Sequence, residues 1–72
     1  MDRKEAATVL LELIDSHLVD PTYIDVKLRK PEQYQIRIES SYDPQGIKEY
    51  AEKNNLAIEQ DKEQKYLFIY KP

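Results

Sequence analysis

Asp15-Ser16-His17 is the one place in this chain where the residue types of a nucleophilic relay stand together. On a helix, neighbouring side chains point about 100° apart, so three consecutive residues cannot hydrogen-bond in line as a relay must. His17 is the only histidine and there is no cysteine, so neither a histidine pair nor a thiolate set is available to hold a metal. A histidine close to the end of a helix has a simpler role, since a cation there favours the negative end of the helix dipole. Carboxylates such as Glu12, Asp25, Glu39, Glu59 and Asp61 are plentiful. Acid–base catalysis, however, needs two of them converging in an apolar cleft that shifts a pKa. These fall on expected solvent faces instead. Gly46 is the only glycine, which excludes a Walker loop and a dinucleotide fingerprint. The expectation is a protein that is not an enzyme, with no cofactor and no metal.

The elements that would position these groups follow from periodicity. Asp2 with Glu5 three residues later is a capping box, and Ala6, Val9, Leu10, Leu13, Ile14 and His17 recur at three- and four-residue spacing. That predicts a helix over residues 1–17, its apolar stripe widened by Ala7, Leu11 and Leu18 and its end set by Asp20-Pro21. Residues 22–29 alternate, with Ile24, Val26 and Leu28 on one face and Tyr23, Asp25, Lys27 and Arg29 on the other. Lys30-Pro31-Glu32 reads as a turn. Residues 33–40 alternate again, Tyr34, Ile36 and Ile38 against Gln33, Gln35, Arg37 and Glu39, which completes an antiparallel hairpin. Asp43-Pro44 is a helix start, a carboxylate N-cap followed by proline at the first helical position. The helix should run to Asn54 and stop at a left-handed Asn55. A short strand over 56–60, with Leu56 and Ile58 inward, a polar turn over 61–64 and a strand over 65–71 complete the chain.

The closing Tyr66-Leu67-Phe68-Ile69-Tyr70 is large and apolar at every position. Alternate side chains of a strand point to opposite faces, so this strand is apolar on both and belongs in the middle of a sheet. A right-handed crossover through the second helix makes strands two and three parallel in direction, and the last strand fits between them. Residues 1–72 are therefore expected to form one small α+β domain of order α-β-β-α-β-β. It should be a two-layer sandwich with two helices on one face of a four-stranded mixed sheet of spatial order 1-2-4-3.

The segment from Asp43 onward resembles the C-terminal half of the TusA/SirA-like sulfur-carrier family. The likeness rests on Asp43-Pro44, the helix residues Ile47-Lys48-Glu49-Tyr50-Ala51, the strand after Asn54-Asn55, the acid-rich turn and the closing aromatic strand with Lys71. It implies a two-layer fold in which the aromatics of the last strand face inward. The family's working Cys-Pro-x-Pro motif has no counterpart here, where the first helix opens with Asp2-Arg3-Lys4-Glu5, so no functional residue carries over.

Either orientation of the last strand leaves an apolar strip on the outer face of the sheet. Such a strip marks an interface unless long Lys and Arg stems from neighbouring strands cover it. Tyr66, Leu67, Phe68, Ile69 and Tyr70 are the interface candidates, with a homodimer or a protein partner as the expected use. A basic cluster, Lys27, Arg29, Lys30 and Arg37 against Glu32 alone, lies within a chain of net charge −3. Basic residues interleaved with aromatics can stack single-stranded bases, which makes nucleic acid the rival partner. The overall acidity and the presence of Asp25 and Glu39 on the same face weigh against it. No apolar run suggests a leader or a membrane span, and a small domain without cysteines is expected in the cytoplasm.

Overall fold

A computed structural model describes residues 1–39, 42–61, 63 and 65–72. The first helix, α1 (Arg3–Asp15), starts at the expected capping box. The Glu5 backbone N–H donates to Asp2 Oδ1 at 2.7 Å, and the Asp2 N–H donates to Glu5 Oε1 at 3.4 Å. It ends earlier than the proline predicts. His17 adopts a left-handed φ of 59°, and the Leu18 N–H donates back to the Leu13 carbonyl at 3.2 Å, which closes the helix. His17 is thus the residue that stops the helix rather than one of its last turn. Pro21 instead opens a 3-10 turn, Pro21–Tyr23, capped by the Asp20 carboxylate.

Strands β1 (Ile24–Lys30) and β2 (Gln33–Glu39) form the expected hairpin, with Ile24 opposite Ile38, Val26 opposite Ile36 and a bulge between Leu28 and Lys30. Glu32 in its turn is left-handed, φ 62°. Ser40, expected to end β2, lies outside the described residues. Helix α2 (Pro44–Lys53) is capped by Asp43, whose carboxylate accepts from the Gly46 N–H at 3.1 Å. A Cβ at Gly46 would collide with Leu18 Cδ2, so the glycine makes room for the chain that leaves α1. Asn55 is left-handed as expected, φ 57°. Strands β3 (Ala57–Gln60) and β4 (Tyr66–Tyr70) follow, joined by a turn in which Asp61 Oδ1 accepts from the N–H groups of Lys65 and Tyr66. Lys62 and Gln64 of that turn lie outside the described residues.

The sheet has the order β1-β2-β4-β3, with β4 inside as its composition demands. Every neighbouring pair is antiparallel, so the expected mixed sheet is corrected to a purely antiparallel one. β2 and β3 do run in the same direction, but β4 separates them, and no parallel ladder forms. Helix α1 packs over β1 and β2, and α2 beside β3. Both helices feed one buried cluster: Ala6, Val9 and Leu13 from α1, Ile47 from α2, and Ile36, Ile38, Leu67 and Ile69 from the sheet. Ala7 and Leu11, expected to widen the buried stripe, are exposed, Leu11 by 59%, because α1 touches the sheet along a narrow seam.

Candidate functional site

The ladders decide which residues share the face of the sheet turned away from that cluster. Asp25 stands opposite Arg37, Arg37 opposite Phe68, and Phe68 opposite Glu59, a row that crosses all four strands. Glu39 opposite Tyr66, Lys27 opposite Gln35, and Ala57 opposite Tyr70 belong to the same face. Leu67 and Ile69 point the other way and are 6% and 0% exposed. They belong to the core and drop out of the interface candidates; Tyr66, Phe68 and Tyr70, half-buried, remain. The inward aromatics implied by the family resemblance are reversed. A β-branched or branched aliphatic side chain fills the narrow space under a helix, while the larger rings spread over the open side.

Those rings are not bare. The Arg29 guanidinium lies 3.7 Å above the centre of the Tyr70 ring, and Arg37 lies 5.1 Å from that of Tyr66. Lys65 Nζ lies 5.7 Å from the centre of the Tyr66 ring. A cation over an aromatic face gains from the ring quadrupole, and its stem shields the ring from water. Tyr66 and Phe68 are in tilted contact, 6.3 Å between centroids.

The same arginines are held by acceptors. Arg37 donates from Nε to Asp25 Oδ1 at 3.1 Å and from Nη2 to Asp25 Oδ2 at 2.8 Å, a bidentate fork. Arg29 donates to Gln35 Oε1 at 3.0 Å and to Glu59 Oε2 at 3.4 Å, and so reaches from β1 across the sheet to β3. Lys27 sits 3.6 Å from Asp25. Lys30 is exposed at the hairpin end. The nucleic-acid candidates therefore do converge, Lys27, Arg29 and Arg37 on one face, but each of these three cations faces a carboxylate, and the phosphate-seeking charge is largely cancelled.

A second concavity of about 340 Å³ lies between the helices, with Val9, Glu12, Tyr50 and Leu56 in its lining. Here the Tyr50 hydroxyl donates a short hydrogen bond to Glu12 Oε2. Burial first, and then the bond to Glu12 and its negative charge, hold the Tyr50 phenol well above its ordinary range. The sequence does not reveal this pair, because nothing in the spacing of one helix shows what the other brings to it. Among the described residues no group of His, Asp and Glu could hold a metal ion, and no helix is long and apolar enough to cross a membrane. Comparison with known protein families, with curated proteins and with solved structures finds no match.

Proposed function

We propose that this two-layer α+β sandwich is a cytoplasmic, non-enzymatic interaction module that docks its open sheet face on a protein surface, and that the surface is a second copy of itself. The observation that carries this reading is the aromatic row Tyr66, Phe68 and Tyr70 on an inner strand of the sheet, half-buried, its two tyrosines under arginines rather than under an element of the fold. Tyrosine, phenylalanine and arginine are the residues enriched where protein surfaces meet. The charges of the face balance, Lys27, Arg29 and Arg37 against Asp25, Glu39 and Glu59, so a second copy approaches without net repulsion and offers an opposite charge to each.

Sedimentation equilibrium over a concentration series tests it. The wild type should exceed the 8.6 kDa monomer mass as concentration rises, and Phe68→Glu should reach a lower mass at each concentration. A Phe68→Glu profile that overlays the wild type would overturn the reading. A charge at Ile69 would not serve this test, because the residue is fully buried and the substitution disrupts the core whatever the face does.

Single-stranded nucleic acid is the second reading, favoured by the stacking of Arg29 and Arg37 on tyrosines. It requires binding that weakens steeply with salt. Arg37 would have to give up its fork with Asp25 to reach a phosphate, which places this reading behind the first.

A further inference from the structure

The two edges of the sheet are unequal. β3 is four residues long, whereas β1 is seven. Natural proteins protect an edge strand by making it short, bulging it, or placing proline or charged side chains, lysine above all, in it, because unpaired N–H and C=O groups invite another strand. β1 carries its bulge at Arg29 and a proline only after its last residue, so Ile24–Leu28 is a regular stretch guarded only by the charges of Asp25 and Lys27. Among the described residues its backbone bonds to β2 alone; no turn, loop or cap donates to it or accepts from it. Leu28, on the core side of the strand, is 61% exposed, and Tyr23 just before the strand is 41% exposed. Together with Leu11 they are the large apolar side chains that the described surface leaves in water.

We infer that this edge pairs with the same edge of a second copy, β1 against β1, in a register centred on Val26. The inference goes beyond the face contact and stands without it, since one uses the flat of the sheet and the other its rim. A two-fold axis normal to the sheet keeps the core sides of both copies together, so opposed residues must share a face, which limits the registers to those centred on a single residue. Centring on Lys27 sets Lys27 against Lys27, and centring on Asp25 sets Asp25 against Asp25; like charges directly opposite are unfavourable. Centring on Val26 sets Val26 against Val26, Asp25 against Lys27 twice, and Ile24 against Leu28 twice. Charges then complement one another on the open side. Leu28 gains an apolar partner on the core side. The product is one eight-stranded antiparallel sheet, in the manner of strand addition at a free edge.

Because the chain has no cysteine, single-cysteine variants report the register directly. Val26→Cys should form an intermolecular disulfide under mild oxidation and run at twice the monomer mass. Leu28→Cys alone should not, since the two copies of residue 28 would lie roughly 13 Å apart at about 3.3 Å per residue. Mixed with Ile24→Cys, it should crosslink several-fold more than either variant by itself. The same set is then made in Phe68→Glu, which removes the face contact. Crosslinking that persists there assigns it to the edge. No Val26→Cys crosslink, equal crosslinking of Leu28→Cys alone, or crosslinking lost with Phe68→Glu would each overturn the inference. Leu28→Cys changes an exposed residue, so its behaviour remains readable even if Val26→Cys folds poorly.

Discussion

The two faces of this sheet are made by alternate residues of the same strands, and they are built on different principles. The helix side is aliphatic and dry: Ile36, Ile38 and Ile69 are fully buried and Leu67 nearly so. The open side is aromatic and charged, its rings half-covered by arginines that are themselves anchored by Asp25, Gln35 and Glu59. One side holds the fold by exclusion of water. The other is finished by half-buried rings and paired charges that no helix covers. A continuous apolar run such as 66–70 thus has two meanings at once, core at 67 and 69 and open face at 66, 68 and 70.

This contrast can be broken most directly by truncation. Ile38→Ala should cost about 2–5 kcal/mol of stability, the range for a fully buried aliphatic side chain. Phe68→Ala, on the open side, should cost only about 1–2 kcal/mol, because part of the ring is already in water. Urea unfolding of both measures the difference; equal costs would mean that the open side is a second core. A finer probe is Arg37→Lys, which keeps the charge and loses the fork to Asp25. A loss of about 1 kcal/mol or less is expected, since both groups are about a third exposed or more. The smallest effect sharpens the helix side. The raised Tyr50 phenol stays protonated in the folded protein after the same group in the unfolded chain ionises near its ordinary pKa of 10.0. Its contribution is therefore fully present below about pH 10 and is lost as pH rises beyond that. Tyr50→Phe should unfold along the same curve as wild type in shape up to that point, and should show a shallower fall above it, followed by circular dichroism.

What could be read in advance was the part that depends on period. Strand alternation placed Lys27, Arg29 and Arg37 on one face correctly, and the double-sided run put β4 inside the sheet. Helix caps at Asp2 and Asp43 needed only their own three following residues. What failed depended on what lies across a gap. Leu11 has the right spacing to be buried, but the width of the contact under α1 is set by the sheet. Leu28 has the right parity for the core and lies in water, at the bulged end of an edge strand. The stop at His17 was hidden because left-handed geometry in a histidine is uncommon, while a proline four residues later offered an obvious alternative. The orientation of β4 stayed open for the same reason, as two apolar sides look alike until a helix chooses one.

The position of β4 also sets a schedule for the growing chain. β1 and β2 are adjacent in sequence and can zip as soon as both have emerged from the ribosome. β3 follows, yet it finds no neighbour, since its place in the sheet is beside a strand not yet made. Only when Tyr66–Tyr70 appears can Ile69 meet both Ile36 and Ile58, and one strand then joins two halves that were made separately. Until that strand is in place β3 has no ladder, whereas Ile47 of α2 already has Leu13 and Ile36 to pack with, so the last strand completes the sheet rather than the core.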